Sequence, residues 1–369
     1  MSKQHTILIL TSKTGGGHVS LAEALRDRLA KDYTVELIDP QPGFIQWHYR
    51  VVSRYALWLW ASEFQLVDTP LRSQMLHFTY ALILQKKLKN LLNQVHPDLI
   101  ITTYPFLSFE VSQTLKKTGV SIPLVMLFSD PASVHCAWLT ERHAAATLAP
   151  TQETYKQALT VGFDSARLHP VGWPVREQFY RANPSCRSET LTRLGLDPEQ
   201  FTVFLQGGGE GAAKFGRTVE RVLATSQKLQ VILATGTNEA LLHRFQGTKN
   251  LYALPFTKEI APFIAASDVV MGKAGPNTLF EAVTLGKPFI ATAYIPGQEK
   301  GNLEFIRRHK LGWVALKAEE QQALLTRLIA DPAELQAMTD FVAQYRQWNT
   351  TAGEVSITVI KQLLQEGMH

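Results

Sequence analysis

Cysteine is scarce in this chain of 369 residues: there are only Cys136 and Cys186, neither in a CxxC pair. That excludes a disulfide framework and the spacing of a zinc ribbon or dithiol redox site, and it fits a reducing compartment. Long apolar runs are missing as well. The stretch from Thr6 to Thr11 is too short for a secretory leader and leads into a glycine cluster, and Tyr55 to Ala61 is less than half a bilayer span. The expected location is therefore the cytoplasm, with any membrane contact peripheral and on the inner face of the cell membrane. No Asp-x-Asp pair, HExxH or Walker A loop occurs, so no metal site and no cofactor is expected. A full dinucleotide fingerprint is also lacking: Ser20 stands where its last glycine belongs, and Asp39 is a poor ribose ligand. Neither a basic helix nor an aromatic-basic sheet signature appears, so nucleic acid is not an expected partner.

What is present reads as a globular α/β protein. The composition, 45% hydrophobic and 19% charged, supports sizeable cores, and the length calls for two domains. Short β-rich runs at Thr6–Leu10, Val35–Ile38, Leu99–Thr103, Leu124–Phe128 and Thr147–Ala149 alternate with helical stretches such as Leu21–Lys31 and Glu153–Leu159. A second series follows at Thr202–Leu205, Val231–Ala234, Leu251–Ala253, Val269–Met271 and Phe289–Ala291. Two Rossmann-like domains with parallel sheets facing a cleft are expected. Pro174, Pro184 and Pro198 punctuate the polar stretch between the series, which puts the boundary near Tyr180. The expected parts are thus 1–180, 181–345 and a helical tail, 346–369, returning to the first domain.

The net charge of +5 points to an anionic partner. One segment, 41–90, breaks the α/β rhythm: nine of the 35 aromatic residues fall between Phe44 and Tyr80, among them Trp47, Trp58 and Trp60, with Lys86, Lys87 and Lys89 following. Rings beside cations suit contact with an anionic membrane surface; a buried helical pair covering the first sheet suits the same pattern.

Three motifs carry chemistry. Gly15, Gly16 and Gly17 follow the first strand and precede a helix expected to start near Ser20, where backbone approach and a helix amino end favour an anion. His18 closes that loop as a candidate proton acceptor or a turn-capping histidine. Gly207, Gly208 and Gly209 occupy the equivalent place after the first strand of the second series. The longest motif runs from Ser267 to Asn302: Gly275 and Pro276 make a turn, Asn277 or Thr278 caps a helix able to hold a diphosphate, and Glu281 faces ribose hydroxyls. Gln298, Glu299 and Asn302 offer the donors and acceptors that a sugar requires.

These motifs, with Gly172-Trp173-Pro174-Val175-Arg176, resemble the family of monogalactosyldiacylglycerol synthases and processive diacylglycerol glucosyltransferases, and more distantly the lipid II-forming N-acetylglucosaminyltransferase. The resemblance implies a GT-B fold. It also implies a UDP-sugar held by the second lobe through Gly275 to Thr278, Glu281, Gln298 and Asn302, with uracil near Pro255 and Phe256, and a lipid acceptor in the first lobe. His18 or Asp130 would be the general base of an inverting transfer, with no obligatory metal; Asp130 could equally cap its loop. Tyr104-Pro105 departs from the commoner His-Pro. The activity expected is hexose transfer to diacylglycerol or a related lipid. A soluble-acceptor transferase, a UDP-sugar epimerase and a non-catalytic nucleotide-sugar-binding protein are the alternatives.

Overall fold

The computed structural model describes residues 5–14, 16–55, 57–182, 186–207 and 215–366; the side chains of 48–50, 53–55, 57, 58, 60, 61 and 63 are outside the description. Gly15, Gly208, Gly209 and the rings of Trp58 and Trp60 therefore lie outside the described residues. The chain divides into two compact units. One comprises Met1–Glu177, Pro296–Gln298 and Trp348–His369; the other comprises Gln178–Ile295 and Glu299–Gln347.

The first unit contains β1 (Thr6–Leu10), α1 (Gly16–Leu29), β2 (Thr34–Ile38), α2 (Gly43–Tyr55), α3 (Leu57–Val67), α4 (Pro70–Val95), β3 (Leu99–Thr102), α5 (Pro105–Thr118), β4 (Leu124–Leu127), the 3-10 helix η1 (Cys136–Thr140), β5 (Ala146–Ala149), α6 (Gln152–Thr160) and β6 (Leu168–Pro170). The chain continues with α7 (Glu177–Arg181), α8 (Arg187–Arg193), β7 (Phe201–Gln206), α9 (Phe215–Leu223), β8 (Leu229–Gly236), α10 (Glu239–Phe245), β9 (Leu251–Pro255), α11 (Ala261–Ala265), β10 (Val269–Lys273), α12 (Pro276–Thr284), β11 (Phe289–Ala293), α13 (Lys300–Arg308), β12 (Gly312–Val314), α14 (Ala318–Ala330) and α15 (Pro332–Glu366).

Each unit holds a six-stranded parallel sheet, in the orders β2-β1-β3-β4-β5-β6 and β12-β11-β10-β7-β8-β9. Runs such as Thr6–Leu10 and Leu124–Leu127 are apolar without alternation because helices cover both faces of a parallel sheet. In the first sheet the chain reverses its direction of travel between β1 and β3, and in the second between β7 and β10. Loops at the carboxyl ends of such strand pairs diverge and leave a crevice, which is where ligands bind in open α/β sheets. At the second reversal Gly272 of β10 pairs with Gln206 of β7, and a Cβ there would lie 2.2 Å from the Gln206 carbonyl oxygen, so only glycine permits the pairing.

Three corrections to the sequence reading concern element limits. Helix α1 starts at Gly16, not near Ser20, which puts His18 inside its first turn. Helix α12 starts at Pro276 with Gly275 as its N-cap, so Asn277 and Thr278 lie within the first turn and neither caps it; proline's fixed φ pre-sets that start. Each sheet also gains a sixth strand, β6 and β12, three residues apiece at sheet edges.

The aromatic segment forms three helices, of which α4 is the best defined. Its residues Ser73, His77, Ala81, Leu84, Leu88 and Leu92 are buried, with Leu84, Leu88 and Leu92 in the first unit's core. Leu71, Met75, Phe78 and Leu82, on the opposite side, are 53% to 72% exposed. Phe44 and Trp47 of α2 are exposed as well. Among the described residues no helix is long and apolar enough to cross a membrane.

Candidate active site

In the first unit, the candidate residues gather where the chain reverses direction. The half-buried His18 ring sits at the carboxyl end of β1, and its Nδ1 lies 2.9 Å from the Thr103 carbonyl oxygen at the end of β3. A carbonyl oxygen only accepts, so Nδ1 carries the hydrogen and Nε2 is left as the proton-accepting nitrogen. Burial pulls the His18 pKa down to about 4, against a smaller upward push from the Thr103 bond, and the ring is neutral at pH 7. The partner of Nδ1 is thus a peptide group and not a carboxylate. Tyr104 meets His18 edge-on, with centroids 4.9 Å apart, and burial pushes its phenol up, so it stays a neutral hydroxyl. The Thr103 hydroxyl, 3.0 Å from Thr11 Oγ1 and 3.2 Å from the His18 carbonyl oxygen, ties β1, α1 and β3 together.

Asp130 follows β4, the strand beside β3. Its carboxyl is pushed up to about 7, chiefly by burial, with Asp68 adding to the rise while bonds from Trp138 and the His135 backbone oppose it. The Trp138 indole Nε1–H donates to Asp130 Oδ2 at 3.1 Å. His18 and Asp130 are therefore two proton acceptors at the carboxyl ends of β1 and β4, with β3 between the strands. Asp39 serves the neighbouring loop, accepting bonds from the backbone of Lys13 and Gln41 and from Gln46 Nε2, each at 2.8 Å.

The second unit's candidates cluster at its own reversal. Gly207 follows β7, with the Phe215 ring against it. Lys273 ends β10, and Gly275, Pro276, Asn277 and Thr278 form the half-exposed start of α12. The amides of a first helical turn have no partner within the helix and carry its positive pole, so this end suits a diphosphate. Glu281 is half-buried, one turn further along α12. Pro255 closes β9 and Phe256, beyond it, is 63% exposed.

Glu299 and Asn302 already have partners within the second unit. Glu299 is buried: its Oε1 takes the Lys273 ammonium and its Oε2 accepts the Ile295 N–H at 2.8 Å. Asn302 Nδ2 donates to the Ala274 carbonyl oxygen at 2.9 Å. Together they brace the turn leading into α12. Gln298 belongs by its contacts to the first unit. Among the described residues no group of three or more His, Cys, Asp or Glu side chains is placed to hold a metal, and both cysteines are free.

The sequence reading gave no role to Lys273, Thr103 or Trp138. Lys273 lies within the Ser267–Asn302 motif and Trp138 close after Asp130, but Thr103 meets His18 across 85 positions and carries no sequence signal.

Comparison with known proteins accords with the two-sheet fold. The S. aureus MnaA–UDP structure superposes with a TM-score of 0.65 at 12% identity, covering 98% of this chain and 97% of that one. The MurG of Acinetobacter baumannii gives 0.60 at 14%, covering 97% and 99%. At these identities the likeness is one of fold. Residues 202–344 match the model of the glycosyltransferase family 28 C-terminal domain, and 18–175 match that of monogalactosyldiacylglycerol (MGDG) synthase. Monogalactosyldiacylglycerol synthase 3, chloroplastic, of Arabidopsis thaliana is 28% identical over 333 residues, which are 82% of this chain and 69% of that protein.

The fold and the matched C-terminal domain define a glycosyltransferase of the GT-B class. Within that class, residues 18–175 match the monogalactosyldiacylglycerol synthase model, and the chain is similar to plant monogalactosyldiacylglycerol synthases.

Proposed function

We propose that the protein transfers a hexose from a UDP-sugar to a hydroxyl of diacylglycerol or a related membrane lipid, inverting the anomeric carbon. The observation that carries this reading is the placing of Asp130 and His18 at the carboxyl ends of β4 and β1, in a unit that matches monogalactosyldiacylglycerol synthase. The acceptor oxygen attacks the anomeric carbon as the bond from that carbon to UDP breaks, and the electron pair leaves on the diphosphate. Asp130 takes the hydroxyl proton, because its pKa of about 7 is matched to neutral pH, whereas a nitrogen with a pKa of about 4 is a weaker acceptor. His18 Nε2 is the alternative acceptor for that proton. Charge on the departing UDP falls to the first-turn amides of α12 and to Lys273. In this reading Glu281 binds ribose, Gln298 faces the sugar and uracil lies near Pro255 and Phe256.

A lipid acceptor calls for a membrane-facing surface, and α4 supplies the chemistry. Leu71, Met75, Phe78 and Leu82 are exposed along one line, and the same spacing continues to the exposed Lys86 and Lys89. Apolar side chains beside cations suit a helix lying at the headgroup level of an anionic leaflet. The protein then works as a peripheral enzyme on the inner face of the cell membrane.

The test is incubation of purified protein with each labelled UDP-hexose and diacylglycerol vesicles, following glycolipid and UDP together. Glycolipid from one donor is the expected result. UDP without glycolipid would mean a different acceptor, and neither product would mean nucleotide-sugar binding without transfer.

A further inference from the structure

Trp138 is among the largest side chains fully enclosed in the protein, and its one polar atom is directed at Asp130. The ring packs edge-on to Phe128 with centroids 5.5 Å apart, in the core beside the end of β4. The short helix η1 that carries it is held at several points. The Ala137 N–H donates to His135 Nδ1 at 3.1 Å, the Trp138 N–H to the His135 carbonyl oxygen at 2.9 Å, and the Cys136 N–H to Asp68 Oδ1 at 2.9 Å. With Nδ1 accepting, the His135 hydrogen sits on Nε2, which donates to the Phe64 carbonyl oxygen at 3.3 Å.

The Ala137 carbonyl oxygen has a less ordinary partner. It accepts from His77 Nε2 at 2.9 Å, and His77 Nδ1 lies 2.9 Å from Glu110 Oε1, both side chains being wholly buried. Because Nε2 must hold its hydrogen to donate to a carbonyl, the remaining proton lies between Nδ1 and Oε1. Burial pushes the Glu110 carboxyl up, and its second oxygen has no hydrogen-bond partner among the described residues. Enclosing such a pair costs several kcal/mol in desolvation before its contacts return anything, and no step of the transfer uses it. Its place in the fold is to lock α4, α5 and η1 together one residue before Trp138.

We infer that Trp138 is a positioning residue for the transfer: its indole N–H binds Asp130 Oδ2 and, together with the bond from the His135 backbone, fixes the orientation in which the carboxylate receives the acceptor's proton. This rests on Asp130 being the base. The donated bond also favours the carboxylate over the acid, so removing it moves the Asp130 pKa upward from about 7. The charged and titratable groups facing Asp130 besides Trp138 are Asp68, from the α3–α4 connection, and His135; Asp68 raises the pKa and would remain in the variant.

The experiment compares kcat/KM against pH for the whole protein, for Trp138→Phe, for Trp138 replaced by its benzothienyl isostere, which lacks only the N–H, and for Asp130→Asn. The acid limb, near pH 7 in the parent, is expected to move up by about one pH unit in both Trp138 variants, as for the loss of one hydrogen bond to a charged group. Above the shifted limb the rate should return to within a few-fold of the parent, with the KM for UDP-sugar unchanged. Should Trp138→Phe fold poorly, the isostere keeps the core volume and still lacks the donor. An equal loss at every pH with the limb unmoved would overturn the assignment and leave Trp138 a packing residue. If Asp130→Asn kept the parent rate, the base itself would be misassigned, a result distinct from the first because it leaves Trp138 nothing to position.

Discussion

Asp130 is held in a setting that opposes its charge, and this sets function against stability at one position. Its pKa, 3.8 for an ordinary aspartate, is raised to about 7, so the fold prefers the neutral acid. The stability it contributes is present below about pH 3.8 and is lost as the pH rises toward 7. Asp130→Asn is therefore expected to raise the melting temperature at pH 8 and to leave it unchanged at pH 3.5, while kcat falls by roughly 10² to 10⁴, the usual worth of a general base. Thermal melts at the two pH values check this. An equal rise at both would trace the gain to packing instead of charge. At this scale the sequence was informative about residue types and silent about partners. His18 stood out because glycines precede it, yet what fixes its tautomer is the Thr103 carbonyl, which any residue at that position could offer. Glu299 reads as a sugar-facing group from its polar neighbours, while its pairing with Lys273 depends on how the turn before α13 folds back to β10.

Among the elements, the strands were the most legible, since buried parallel strands are continuous apolar runs bounded by turns. The two that escaped, β6 and β12, are three residues long and contain Pro170 and Gly312, residues that mark sheet edges and bends and give no periodic signal. Strand order was not legible at all, and it is the order that brings His18 to Thr103. The segment from 41 to 90 left two readings open, interfacial or buried, and α4 shows why: its Leu84 side faces the core while its Leu82 side faces outward. Replacing both Leu71 and Leu82 by Glu is expected to reduce co-sedimentation with anionic vesicles at least tenfold, because each apolar side chain withdrawn from water contributes about 1.5–3 kcal/mol and a carboxylate is repelled by the surface. Lys86→Ala with Lys89→Ala should weaken it by about 1 kcal/mol per charge. Unchanged sedimentation of the Glu variant would assign the stripe to some other contact.

On the scale of the whole molecule, the first unit is discontinuous in sequence. Residues 348–369 complete it, and the contact is specific: Asn349 Oδ1 accepts the Trp173 N–H at 2.7 Å and Asn349 Nδ2 donates to the Trp173 carbonyl oxygen at 3.1 Å. Gly172, at φ 67°, brings the backbone close enough that a Cβ would lie 2.5 Å from the Asn349 carbonyl oxygen. Arg28 reaches the Gly353 carbonyl oxygen and Glu354, and Lys361 reaches Asp32. A chain ending at Gln347 loses both Asn349 bonds to the Trp173 backbone and uncovers the surface that the tail protects. Limited proteolysis with mass spectrometry is expected to show cuts within 1–177 while 178–347 persists; a resistant first unit would contradict this.

A growing chain leaves the ribosome amino end first, and domains commonly fold in that order. Here the second unit has all its residues while the first still waits for Asn349. The part made first is therefore finished last, and during that interval its exposed core surface is open to chaperones and to mispairing with other nascent chains.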